Sequence, residues 1–188
     1  MHEQQDSLMQ FYNFKPHQTI ASIGAQCVNW EAMMACFIDS GHFYLEDIDT
    51  AYFKEQQARF AWDYYSNLTG KPLSSSYTLV VGTQKETNLP PAIFDKIFII
   101  NSFHEFGFKK EMLDDISKKL KPGGLLYVDE IIARYSGQKH GGCKKELFTE
   151  NELTGYFKEN DFDYTGGMYA GYWKGKPHRK IYVFGKGL

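Results

Sequence analysis

The chain has 188 residues, a formal net charge of -2 and 16% aromatic residues. That is the size of one domain able to bury most of its apolar surface around a single core. With its charges dispersed, it offers no basic stripe for a phosphate backbone, so nucleic acid is not an expected partner. No apolar run is long enough to span a bilayer, and MHEQQDSLMQF lacks the basic start and apolar core of a signal peptide. The expectation is a soluble, cytoplasmic protein without a membrane partner. Cys27, Cys36 and Cys143 lie far apart, as reduced thiols do.

Residues 1–18, with the apolar LMQFYNF, are predicted to form a helical segment able to lie over a cleft as a lid, ahead of one domain spanning residues 19–188. Short apolar runs bounded by turn residues predict strands over 20–25, 42–45, 77–82, 96–101 and 125–129. Between the first two, Trp30, Met33, Met34, Phe37 and Ile38 fall at i, i+3, i+4, i+7 and i+8. This is one apolar stripe, with Asn29 at the N-cap position and Gly41 as the stop. A second helix is predicted over 50–67. A third, over 109–120, turns Met112, Leu113, Ile116 and Leu120 inward and ends at KPGG. The glycines of IARYSGQKHGGCKKEL, residues 132–147, predict a mobile loop overhanging the strand ends. FTENEL then opens a fourth helix with a capping box, Thr149 three residues before Glu152. YTGGMYAGYW and HRKIYVFGKGL, joined by KGKPH, predict a terminal hairpin.

Alternating strands and helices imply an α/β domain with a mostly parallel sheet and helices on both faces, whose ligands sit beyond the carboxyl ends of the strands. Four segments in order, ASIGA, FYLEDID, FDKIFIINSFHEF and LKPGGLLYVDE, resemble the class I S-adenosylmethionine-dependent methyltransferases, and the likeness extends from Thr19 to Phe184. The resemblance implies a Rossmann-like seven-stranded sheet ending in an antiparallel strand pair. It also implies S-adenosylmethionine as cofactor and methyl transfer to a small-molecule acceptor. By that resemblance the cofactor would be held by Gly24, Ala25, Gln26, Asp47, Thr83 and Asn101, and catalysis would fall to His104 and Glu105.

The residues themselves leave alternatives open. Asp47, 23 positions after Gly24, suits a ribose diol, yet EDID also suits a helix start. Glu46 is expected on the opposite face. Where the family's first turn carries an acid and three glycines, this chain has Ser22, Gly24, Gln26 and Val28. Weakened cofactor binding is therefore expected, to be restored by Ser22→Asp with Gln26→Gly. Thr83 stands where an acid often meets adenine. His104 is either a base or a structural histidine, and Asp129 and Glu130 either bind an acceptor or cap the loop. His140 and Cys143 resemble half a metal site with no partner pair in view, so no metal is expected. Cys27 reads as a buried thiol or, next to a helix start, as a nucleophile. Tyr169, Tyr172 and Trp173 read as core or as pocket wall. A binding protein that keeps the fold without the cofactor is the alternative function. A nicotinamide oxidoreductase ranks last because no GxGxxG follows the first strand.

Overall fold

The computed structural model describes residues 3–187. Seven strands form one sheet in the order β3-β2-β1-β4-β5-β7-β6. In chain order the elements are α1 (Glu3–Tyr12), β1 (Thr19–Ile23), α2 (Asn29–Ala35), β2 (His42–Asp47), α3 (Glu55–Thr69), β3 (Ser76–Val81) and β4 (Phe94–Ile100). After a 3-10 turn, Phe103–Glu105, come α4 (Lys109–Lys119), β5 (Leu120–Ile131), α5 (Glu150–Glu159), β6 (Phe162–Trp173) and β7 (Lys176–Lys186). The pairings from β3 across to β5 are parallel, whereas β7 runs antiparallel to both β5 and β6. The predicted sheet and its closing hairpin are both present.

Alternation along the strands divides the core in two. Ile20, Phe43, Leu45, Phe98, Tyr127, Ile181 and Val183 meet α1, α2 and α3 on one face. Ala21, Ile23, Ile97, Ile99, Leu126, Val128 and Phe184 meet α4 and α5 on the other. The inward positions foreseen for α4, Met112, Leu113 and Ile116, are all buried there. In α1, Leu8, Met9 and Tyr12 are buried, the Tyr12 ring lying 4.9 Å from Phe98 and 5.5 Å from Tyr127. This segment is helical as predicted, but its described side chains pack on the middle of β4 and β5, and none lines the cleft described below. The first two residues of the predicted segment and Leu188 lie outside the described residues.

Three local expectations change. Helix α2 starts at Asn29, which is therefore its first helical residue and not its cap. The cap position belongs to Val28, left-handed at φ 59° and without a side-chain capping bond. Trp30 consequently turns outward beneath the Arg179 guanidinium, 5.6 Å from its ring, and leaves the buried stripe. Helix α3 begins five residues later than predicted, at Glu55, because 48–54 form turns closed by Ala51 N–H on Asp49 and Phe53 N–H on the Asp49 carbonyl. KPGG is drawn into the start of β5.

The capping box of α5 is formed as read. Thr149 Oγ1 accepts from Glu152 N–H at 3.3 Å, and Glu152 Oε2 accepts from Thr149 N–H at 2.8 Å. Thr149→Ala should cost about 1 kcal/mol, read as a lowered urea midpoint with an unchanged slope. An unchanged midpoint would show that the cap does not contribute.

Candidate active site

Beyond the carboxyl ends of β1, β2, β3 and β4 opens a cleft of about 670 Å³. Its wall holds Gly24, Gln26, Asp47, Thr83, Asn101 and Glu105 of the residues singled out in the sequence, together with Glu46, Ile48 and Asp49. Ala25 is buried behind the turn, and His104 lines a neighbouring cavity instead.

The first turn is held by backbone bonds. Gly24 N–H and Ala25 N–H both donate to the Glu46 carbonyl at 2.9 Å, and Gln26 N–H donates to Asp47 Oδ2 at 2.9 Å. Gly24 has φ 74°, and a Cβ there would sit 2.8 Å from Ser102 Oγ, so glycine is what lets the turn pass Ser102 at the cleft wall. Val28 does not crowd this space as expected. The left-handed conformation at Gln26, φ 30°, and at Val28 turns the chain so that Val28 is buried in the core. Gln26 does face the cleft.

The Asp47 carboxylate takes a second backbone bond, from Asp49 N–H to Oδ1 at 2.7 Å, which aims it across the turn while leaving acceptor capacity on both oxygens. Ile48 beside it is 51% exposed, an apolar surface at the cleft wall. Sequence reasoning missed Ile48. The available signal was an isolated apolar residue between two acids at a strand end. Thr83 Oγ1 accepts from the N–H groups of Lys85 and Glu86, so it closes its own loop as well as lining the cleft. Asn101, left-handed at φ 52°, is fixed by its N–H on the Asp129 carbonyl at 2.7 Å.

Glu46 turns to the opposite sheet face from Asp47, as alternation requires, yet it still reaches the cleft. Its Oε1 is buried without a hydrogen-bond partner and lies where a Cβ on Gly82 would be, 1.8 Å away. Burial, with the Asp47 carboxylate next to it, pushes the Glu46 carboxyl up to about 8. A second raised acid lies behind the turn. Ser22 Oγ donates to Glu31 Oε1 at 2.5 Å, and burial pushes the Glu31 carboxyl up to about 7. Glu31 thus stands behind Ser22, buried and outside the cleft wall. Ser22→Asp would set a carboxylate against Glu31, so that substitution no longer reads as a restoration.

Asp129 and Glu130, expected to meet an acceptor or cap the loop, are both engaged. Asp129 is held by Arg179 Nε at 2.6 Å and a terminal guanidinium nitrogen at 2.8 Å. Glu130 Oε2 lies 2.8 Å from His104 Nδ1, and its Oε1 accepts from His104 N–H at 3.2 Å. Cys27 is exposed and not a buried hydrophobe. Tyr169, Tyr172 and Trp173 are exposed on β6 and line neither cavity.

The segment predicted as a mobile loop, 132–147, is folded back on itself. An antiparallel bridge joins Lys139 and Glu146, His140 N–H donates to the Lys145 carbonyl, and Leu147 N–H donates to the Gln138 carbonyl. As expected it overhangs the site, and Lys145 belongs to the wall of both cavities. The second cavity, about 770 Å³, is lined by Phe148, Tyr156, Asn151 and Ser136 besides His104, and it adjoins the first at Phe106 and Gly107.

No family model matches the sequence, and no curated protein matches it in sequence. Solved structures do match in shape. A SAM-dependent methyltransferase from Aquifex aeolicus superposes with a TM-score of 0.72 at 16% identity, over 97% of this chain and 88% of that one. The 1,6-didemethyltoxoflavin-N1-methyltransferase of Burkholderia thailandensis, solved with bound 1,6-didemethyltoxoflavin and S-adenosylhomocysteine, gives 0.71 at 14% identity over 98% and 77%. The [4+2]-cyclase SpnF gives 0.68 at 14% identity over 97% and 82%. With its sheet order and these likenesses, the chain has the fold of the class I S-adenosylmethionine-dependent methyltransferases.

Proposed function

We propose that the protein transfers a methyl group from S-adenosylmethionine to a small-molecule acceptor. The observation that carries this reading is the chemistry of the first cleft. Glu46, Asp47, Asp49 and Glu105 face it with Lys145 as the one cationic side chain in the wall, so it suits a cation and repels phosphates. The Gly24 turn in the wall, a carboxylate at Asp47 for a ribose diol and the exposed Ile48 for an adenine face fit the parts of this cofactor. When bound, S-adenosylmethionine supplies an electrophilic methyl group on a sulfonium.

The chain's own contribution is positioning and exclusion of water. Asp47 orients the ribose end, and Glu46, whose carboxyl burial pushes up to about 8, ionises as a cation comes against it. The second cavity, mainly polar and charged with Phe148 and Tyr156 in its wall, takes the acceptor, and Phe106 and Gly107 form the shared boundary across which the two reactants meet. Glu105, half exposed beside that boundary, is the group able to receive a proton from a protonated acceptor, and the buried His104, bonded to Glu130, stands behind it.

Isothermal titration with S-adenosylmethionine and S-adenosylhomocysteine tests the cofactor assignment. Asp47→Asn is expected to weaken both by about ten- to a hundredfold, through loss of a charge-assisted hydrogen bond worth about 1.5 to 3 kcal/mol. Absence of heat with either ligand would remove the enzymatic reading and favour a binding protein of the same fold. Unchanged affinity in Asp47→Asn would remove this residue from the site.

A further inference from the structure

We infer that His104, Glu105, His140 and Cys143 form a binding site for one borderline-soft divalent metal ion, zinc(II) by preference. One ligand atom from each of the four lies within 4.8 Å of the others, the one such group found among the described residues. Sequence spacing shows only half of it, because His140 and Cys143 are some 35 positions from the other two. The folded loop closes that gap. It sets the His140 ring 4.9 Å from the His104 ring and its Nδ1 3.2 Å from Cys143 Sγ.

His104 carries the second, independent observation. Its side chain is fully buried, yet Nε2 has no hydrogen-bond partner and faces Glu105 Oε1 at 3.6 Å. A buried, unpartnered ring nitrogen is costly, and a metal ion satisfies it. The other ring nitrogen is bonded to the buried Glu130 carboxylate at 2.8 Å, the carboxylate–histidine arrangement that places the lone pair on the ligating nitrogen. Four N, O and S ligands suit a tetrahedral zinc site, whose ligand atoms stand about 3.3 to 3.6 Å apart. The 3.2 and 3.6 Å separations here are close to those values, and the remaining pairs, at up to 4.8 Å, would close by about an ångström on binding. Binding releases the Cys143 thiol proton to solvent. The ion would pin the loop over 132–147 to the 3-10 turn after β4 and thereby hold Lys145 above the cleft. Glu105, with a half-exposed side chain, is the ligand able to leave.

This inference does not depend on methyl transfer, and its test reads the metal directly. Tag-free protein purified without chelator and then dialysed should hold about one zinc per chain by mass spectrometry. Cobalt(II) exchanged into the site should give a thiolate charge-transfer band. His140→Ala and Cys143→Ser should lose stoichiometric zinc, and Cys143→Ser should lose the cobalt band, while Cys36→Ser keeps both. Glu130→Gln, which reaches the ion only through His104, should weaken zinc by about ten- to a hundredfold. Circular dichroism confirms that each variant is folded. Protein free of zinc that takes up none in titration, or a cobalt band that survives in Cys143→Ser, would overturn the site.

Discussion

Arg179→Met should lower the unfolding free energy by about 3 kcal/mol, because it leaves a buried carboxylate without its counter-ion. Asp129 is buried at the end of β5, where two guanidinium bonds of 2.6 and 2.8 Å hold it from the neighbouring strand β7. Burial raises the Asp129 carboxyl above its ordinary value even with Arg179 in place, so desolvation already outweighs the attraction. The same guanidinium lies over Trp30 and ties α2 to the sheet. Asp129→Asn combined with Arg179→Met should recover most of the loss, since no charge is then left buried. Urea unfolding of the two single variants and the double variant forms the cycle. Strict additivity of the two losses would show that the pair is not coupled.

From about pH 5 to about pH 9 the fold should lose stability as pH rises, the reverse of ordinary salt-bridged carboxylates. Glu31 and Glu46 have folded-state values of about 7 and about 8 against an ordinary 4.5. Such groups bind protons more tightly in the folded state. Their contribution is complete below about 4.5 and disappears as pH passes through 7 and then 8. At 1.36 kcal/mol per pH unit the ceiling is about 3 kcal/mol for Glu31 and about 5 for Glu46. Glu46→Gln should flatten the upper part of the decline and Glu31→Gln the lower part, measured as melting temperature against pH. A melting temperature that is level or rising over this range would exclude the shifts.

The same linkage reaches the ligand. A cation held against Glu46 favours its ionised form, so S-adenosylmethionine affinity should increase as pH approaches 8. S-adenosylhomocysteine, which lacks the sulfonium charge, should respond less. In Glu46→Gln the difference between the two ligands should disappear.

The sheet was legible because its signals are local and redundant. Apolar strands, the inward residues of α4 and the Thr149–Glu152 box each carry their own periodicity or spacing. What was missed depends on backbone that the residue types disguise. Val28, a β-branched residue, adopts a left-handed conformation that sequence reading reserves for glycine, and this one departure moved the cap from Asn29 and turned Trp30 outward. The position of Asp47 in the cleft wall was legible because a single strand end supplies it. The site was illegible where two distant segments meet. Glu31 bonds to Ser22 from a separate helix, and the residues that come near His140 and Cys143 belong to the turn after β4. The pairing of Asp129 with Arg179, fifty positions apart, is of the same kind.

The position of β7 between β5 and β6 governs the order in which the sheet can assemble. β6 precedes β7 in the chain, and among the described residues β7 is its one strand partner, so β6 joins the sheet only through β7, whether the two first form a hairpin or β7 first pairs with β5. Until β7 is in place the edges of β5 and β6 are both open, and open strand edges are where a folding chain mispairs with another copy. Register shifts at Tyr164/Gly166 and Tyr169/Gly171 bend β6, which makes a straight, unpaired edge harder to extend into an aggregate.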